Sequence, residues 1–327
     1  MDIENELQKR ADFFNIQLEK FLDGGNPESL YNAARHLPLA GGKRLRPCFS
    51  LISCEAVKGD IIKVIPLAIA LELIHNFTLI HDDIMDKSKL RRNLPTVHVE
   101  YGEPSAINAG DLLFIKAFES MHNISIDCQV FKNVEFGFID FIKEICEGQQ
   151  MDMDFENRKI VNEEEYIEMI RKKTAVFFQY AAEAGAILGG ANHEQSNALN
   201  QYGLNLGLGF QIWDDYLDVS SDIKTLGKDI GNDIRNGKKT LIACHCLTNA
   251  KGEDKNILNK IFGNQDATND QVKNVFDLFR KTGSIDYAKE KAINFSRNAK
   301  QVLDILPDSD AKEILVNLAD YAINRKK

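Results

Sequence analysis

The sequence predicts an all-α protein, and three observations carry that prediction. Apolar residues recur three and four positions apart over long runs, the period of a helix with one buried face. Strand-type alternation is scarce. No proline falls between Pro104 and Pro307, so nothing in that long stretch forbids helix. The 327 residues are 44% hydrophobic and 27% charged, the mixture of a globular chain with a large core.

The elements follow in order. MDIENELQKR is acidic and polar, unlike a secretory signal or an Arg-rich transit peptide. Ile65 to Asp86 has Pro66 in its first turn, where a missing N–H costs little. It is apolar almost all round, the mark of a buried central helix. Its most apolar window, Val64 to Ile80, is short of a membrane span and carries Glu72, His75 and Asn76, so no transmembrane segment is expected. Phe136, Ile139, Ile142, Ile145 and Cys146 mark another helix. Leu199 to Asp218 is a second buried one, although Gly203, Gly207 and Gly209 lie inside it. Each glycine weakens a helix by roughly 1 kcal/mol, which close packing or room for a ligand would justify. Ile314, Leu315, Leu318, Ala319 and Ala322 mark the last helix. Of two polar stretches, Asn249 to Asp270 reads as a plain surface connection and Val219 to Thr240 as a lid. No linker divides the chain, so a single domain is expected over residues 1–327.

Composition excludes several classes of function. With 40 Lys+Arg against 49 Asp+Glu the net charge is −9, too acidic for sequence-independent nucleic-acid binding. Six cysteines without a CxxC pair give neither a disulfide framework nor a zinc pattern. Cys244 and Cys246 flank His245 but, two apart on a helix, point to different faces. Reduced thiols and a cytoplasmic location are expected.

The chemistry lies in a repeated DDxxD pattern, Asp82-Asp83-Ile84-Met85-Asp86 and Asp214-Asp215-Tyr216-Leu217-Asp218. Carboxylates four apart on a helix share a face and repel by roughly 0.2–0.5 kcal/mol even when exposed. A solvated acidic helix end accounts for one such motif. Two copies, each closing an apolar helix, point to a cation, and oxygen ligands with room for water and phosphate suit Mg2+. Basic residues supply the complement. Gly41-Gly42-Lys43-Arg44-Leu45-Arg46-Pro47 sets three cations beside two glycines, which let backbone approach an anion closely. Arg91-Arg92, Lys173-Thr174, and Lys228-Asp229 through Lys238-Lys239-Thr240 add more. Together they describe a site for two polyanions, one bridged by metal and one held by cations alone.

With these residues in place the sequence resembles the trans-isoprenyl diphosphate synthases over most of its length. The likeness runs through Gly41 to Pro47, DDIMD with Arg91-Arg92 and Pro95-Thr96, Gly148-Gln149 with Asp152, Lys173-Thr174, Phe210-Gln211 with DDYLD, and Gly227-Lys228-Asp229 with Gly237-Lys238. The resemblance implies a helical bundle around a deep cavity, a homodimer, and isoprenoid diphosphates as substrates. It also implies three Mg2+ ions per site, with Mn2+ as a substitute. Asp82, Asp86 and Asp214 would ligate the ions, and Asp83, Asp215 and Asp218 would ligate or support them. Arg91, Asp152, Lys173, Gln211, Lys228 and Lys238 would surround the allylic diphosphate. Gly42, Lys43, Arg46, His75, Arg92 and Phe210 would take isopentenyl diphosphate. Thr174 and Gln211 would turn oxygen dipoles toward the allylic cation, and the departed diphosphate would remove the last proton. The basic end, Arg325-Lys326-Lys327, is placed either over a diphosphate or as an exposed tail.

Product length would be set below the first motif. Residues four to eleven before Asp82 lie roughly 6–16 Å down the helix, which offers Thr78, Phe77, Ile74 and Leu71. On an ideal wheel Thr78 and Leu71 point most nearly along Asp82. The resemblance instead favours Phe77, since Phe five before the motif with a small residue at four is similar to archaeal short-chain enzymes making geranylgeranyl diphosphate (C20). Farnesyl diphosphate or a C15/C20 mixture is the alternative. A class I terpene cyclase would carry an NSE-type second motif, and a non-catalytic prenyltransferase subunit would have lost aspartates; both patterns are absent from this sequence.

Overall fold

The computed structural model describes residues 2–220 and 231–325. Those residues are almost entirely helical. In order they form α1 (Ile3–Leu22), α2 (Glu28–His36), α3 (Leu45–Ala56), α4 (Ile65–Met85), a hairpin of β1 (Leu90–Arg91) and β2 (Leu94–Pro95), α5 (Val97–Tyr101), α6 (Glu103–Met121), α7 (Cys128–Glu156) and α8 (Glu163–Ile170). There follow α9 (Val176–Leu188), α10 (His193–Ser220), α11 (Asn232–Asn236), α12 (Leu241–Asn249), α13 (Gly252–Ile261), α14 (Asn269–Lys281), α15 (Ser284–Gln301) and α16 (Asp310–Ala322). Contacts gather them into two compact units, each assembled from separated stretches. One comprises Met1–Ile139, Tyr180–Asn200 and Asp304–Asn317; the other comprises Asp140–Gln179, Gln201–Leu303 and Leu318–Lys327.

The first unit is built on α4, which packs most extensively against α6 and next against α3. Pro66 opens α4, and Leu67, Leu71, Ile74 and Ile80 bury different sides of it. The apolar stretch is longer than the window read from sequence: Ile61–Met85 is long and apolar enough to cross a membrane. Here it is the core of its unit, and Glu72 and Asn76 are buried within it. Gly110 brings α6 so close that a Cβ there would lie 2.4 Å from His81 Nε2.

The second unit centres on Tyr166, Leu208, Ile212, Leu241 and Val275. The glycines of α10 have a packing reason. A Cβ on Gly203 would fall 2.3 Å from the Phe178 carbonyl oxygen, and one on Gly207 would fall 2.6 Å from Ala175 Cα. Helix α12 is buried on more than one face, so Cys244 and Cys246 are both inside, and burial pushes the Cys244 thiol up to about 12. The stretch Asn249 to Asp270 is not a plain connection: it contains α13, which buries Leu258 and Ile261. Its short apolar stripe is diluted by Lys, Asp and Asn, which hides the period. Helix α14 shows the same logic more openly, with a Thr268/Gln271 capping box and Val272, Val275, Leu278 and Phe279 inward.

Candidate active site

In the first unit, Asp82, Asp83 and Asp86 stand at the C-terminal end of α4, with Asp86 as the cap residue. That is the negative end of the helix dipole, where each acid costs roughly 0.3–1 kcal/mol and a cation is favoured. Asp83 is buried, and Arg91 neutralises it through Nε at 2.8 and 2.9 Å and Nη2 at 2.8 Å. Asp82 is half-buried and Asp86 exposed. Phe77 is half-buried against Phe114 of α6, centroids 5.3 Å apart, and Phe114 meets Phe118 at 5.3 Å. Thr78 is half-buried with its hydroxyl on the His75 carbonyl, whereas Ile74 and Leu71 are sealed in the core.

The same unit holds the glycine-rich loop. Gly42 has φ 136, a backbone glycine tolerates best, and a Cβ there would lie 3.1 Å from the Arg92 guanidinium carbon. Arg92 reaches that loop from the β1–β2 turn, donating through Nη1 to the carbonyls of Leu37 (3.2 Å) and Gly41. Arg46 Nη1 lies 3.3 Å from His75 Nε2, and Lys43, three residues before Arg46, is exposed. Burial first, then the fields of Arg46, Arg92, Arg91 and Arg44, push His75 well below the usual imidazole range. It is therefore a neutral hydrogen-bonding ring, and the positive charge comes from the guanidiniums.

In the second unit a cavity of about 60 Å³ is lined by residues that include Asp152, Tyr166, Lys173, Thr174, Gln211, Asp215, Lys238 and Lys239. Lys173 and Thr174 lie in a π-turn, Arg171–Ala175, and such turns are frequent at functional sites. Gly148 of α7 makes the turn possible, since a Cβ there would be 2.3 Å from the Lys173 nitrogen. Lys173 pairs with Asp152 at 2.5 Å. The Thr174 hydroxyl donates to Gln211 Oε1 at 3.0 Å, and Gln211 Nε2 donates to Asp215 at 3.2 Å. Asp215 also accepts from Tyr166 at 2.7 Å, and burial raises its carboxyl. Burial pulls Lys238 down, but Asp215, Asp233, Asp152 and Asp218 together hold it above its ordinary value.

Asp214 and Asp218, both half-buried, lie in the last turns of α10. Burial raises the Asp214 carboxyl to about 6, with Arg325 pulling the other way. Arg325 bonds Asp214 and lies over the Phe210 ring at 3.7 Å. Lys228, Lys326 and Lys327 lie outside the described residues. Among the described residues no three His, Cys, Asp or Glu side chains form a metal cage.

Known proteins share both the family pattern and the fold. The polyprenyl synthetase family model matches residues 27–279. The chain belongs to the polyprenyl synthetase family. It is a trans-prenyltransferase of that family. The geranylgeranyl diphosphate synthase of Methanosarcina mazei is 42% identical over 327 residues, covering 100% of this chain and 99% of its own. The geranylgeranyl pyrophosphate synthetase of Pyrococcus horikoshii superposes with a TM-score of 0.94 at 44% identity, over 99% of this chain and 98% of its own. A polyprenyl synthase of Caulobacter crescentus, complexed with calcium and isoprenyl diphosphate, is 31% identical with a TM-score of 0.87, over 99% and 98%.

Tyr166 of the cavity escapes a reading of the motifs, and Lys239, there only one cation of a basic run, is buried. Tyr166 looks like an ordinary core residue of α8, and only its bond to Asp215 sets it apart. Lys239, next to Lys238, is buried over the Phe262 ring at 5.0 Å, and burial lowers its ammonium. Nothing in the local sequence distinguishes the two lysines.

Proposed function

We propose that this prenyltransferase condenses isopentenyl diphosphate with dimethylallyl, geranyl and farnesyl diphosphates and stops at geranylgeranyl diphosphate, C20. The observation that carries the reading is the pair of aspartate motifs at the negative ends of two long helices, where a bound cation is favoured. Asp82, Asp86, Asp214 and Asp218 hold magnesium, three ions per site with manganese as a substitute, and Asp83 and Asp215 steady them. When bound, the metal supplies Lewis-acid charge to the leaving diphosphate. The calcium in the Caulobacter crescentus relative supports a divalent ion here.

The chain's own residues do the rest. Arg91, Lys173, Lys228 and Lys238 neutralise the departing diphosphate, and Asp152 keeps Lys173 in place. Thr174 and Gln211 keep oxygen dipoles near the allylic carbon. Gly42, Lys43, Arg46, His75 and Arg92 receive the second diphosphate, and Phe210 packs on its hydrocarbon. Phe77 closes the floor: it and Thr78 are half-buried, while Ile74 and Leu71 are already inside the core. Ile107 and Ile115 of α6, with Phe136 and Ile139 of α7, leave apolar side chains exposed, and we assign them to a homodimer contact. All six cysteines are free and four are buried, which supports a reducing cytoplasm.

The test is incorporation of radiolabelled isopentenyl diphosphate with each allylic primer, with Mg2+ present or chelated, and chromatography of the dephosphorylated products. C20 is expected from all three primers, and none after chelation. Incorporation that persists under chelation defeats the metal assignment, and a C15 end point defeats the C20 assignment.

A further inference from the structure

Arg44 stands between Lys43 and Arg46 yet is itself only 4% exposed, so it cannot lie against a bound anion. Its backbone is left-handed, φ 48, a conformation that costs a non-glycine residue energy. Three separate pieces of chain receive its guanidinium. Nε donates to Asn15 Oδ1 of α1 at 2.9 Å, Nη1 to Glu72 Oε1 of α4 at 2.5 Å, and Nη2 to the Pro38 carbonyl at 2.5 Å. Glu72, 2% exposed, lies on α4 one turn before His75, and Asn76 donates to it at 3.0 Å.

We infer that Arg44 and Glu72 are positioning residues that set the geometry of the cradle for the homoallylic diphosphate. The inference rests on the reading of Lys43, Arg46, His75 and Arg92 as that cradle. One ion pair joins the entry of the loop (Pro38), its exit (Arg44, whose carbonyl accepts from the first turn of α3 at Cys48) and the turn of α4 that carries His75. Arg92 fastens the loop again, at Leu37 just before its entry and at Gly41 within it; burial lowers Arg92, with Glu72 raising it and Arg44 lowering it further. Stability alone does not call for such a pair, because an apolar pair of similar volume often serves a core as well or better. A planar fork that must meet three acceptors does fix direction. Lys43 and Arg46 therefore point where the buried fork between them sends them.

The test compares Arg44→Lys, the double variant Arg44→Met/Glu72→Met, and Arg46→Ala as a control on the cradle. Lysine keeps the ion pair but cannot span Asn15, Glu72 and Pro38 with one ammonium. The double variant removes both charges and so leaves no unpaired charge in the core. Melting curves, kcat and both KM values are measured, with titration of inorganic diphosphate as a readout independent of turnover. Both positioning variants are expected to stay folded, to raise KM for isopentenyl diphosphate about ten-fold or more, and to leave KM for the allylic substrate within about two-fold. Diphosphate binding should weaken in parallel. If Arg46→Ala raises that KM while both positioning variants keep the wild-type value, or raise both KM values equally, the inference is overturned. If Arg46→Ala changes nothing, the cradle reading falls and takes the inference with it. Loss of folding in the double variant leaves the decision to Arg44→Lys.

Discussion

The guanidinium of Arg325 lies 3.7 Å over the Phe210 ring and bonds Asp214, the first aspartate of the second motif. A cation of the protein thus sits where the proposed metal draws one of its carboxylates. Removing it takes away a competitor. Arg325→Ala is expected to lower the half-saturating Mg2+ concentration by up to about five-fold, the worth of a partly exposed ion pair near 1 kcal/mol. Trp213, the one tryptophan in the chain, donates to the Arg325 carbonyl at 3.3 Å. Its fluorescence in a Mg2+-diphosphate titration gives the constant without turnover, and an unchanged or weaker constant in the variant removes the competition.

Neighbouring aspartates of the first motif should fail in different ways. Asp86 is exposed at the negative end of α4, so Asp86→Asn is expected to leave the melting curve within about 0.5 kcal/mol of wild type. Turnover should fall at least about 100-fold, on the scale of a lost transition-state contact. Asp83→Asn instead breaks the contact with Arg91 from the buried side and should cost about 1–3 kcal/mol of stability. Denaturant midpoints and rates for the two variants separate the roles; equal loss of stability in both refutes the distinction.

Product length should move in opposite directions at adjacent positions. Phe77→Ala opens the space in front of Phe114 and is expected to release products longer than C20. Thr78→Phe, on the side of α4 nearest Asp82, should shorten them toward C15. Chromatography of dephosphorylated products reads both. An unchanged distribution in Phe77→Ala places the floor elsewhere.

His75 carries a pH signature with a definite sign. Its folded-state pKa is depressed, by burial and then by the guanidiniums around it, from an unfolded value near 6.5. Below that value the unfolded chain binds a proton the folded chain refuses. The stability it contributes is complete above about pH 6.5 and is lost as pH falls from there. Urea midpoints at pH 8 and pH 5 should therefore differ more in the wild type than in His75→Gln. Equal differences would show that the ring titrates normally in the folded protein.

The sequence made the long helices legible because α4 and α10 are apolar on most sides and end in unmistakable carboxylate clusters. The cations beside those clusters were legible as residue types. Their partners were not. That Arg91 serves Asp83 and Lys173 serves Asp152 depends on turns whose geometry no local pattern encodes, including the π-turn at 171–175. Helix α13 was hidden for a different reason: two buried residues in a polar segment are too few to establish a period. The burial of Arg44 has no local signature, because Lys43, Arg44 and Arg46 are basic residues within four positions and only one of them lies inside the core.

The β1–β2 hairpin constrains what this segment can become. Its two turn residues, Arg92 and Asn93, have φ 52 and 63, the signature of a two-residue type I′ turn, with Arg91 paired to Leu94. Two consecutive arginines therefore face two errands: Arg91 returns to α4 and Arg92 crosses to the glycine loop. Lengthening the turn by a single residue would remove the two-residue geometry that gives Arg92 its positive φ, and with it the direction in which Arg92 leaves the hairpin. The hairpin works as a ruler, and its length matters as much as the letters written on it.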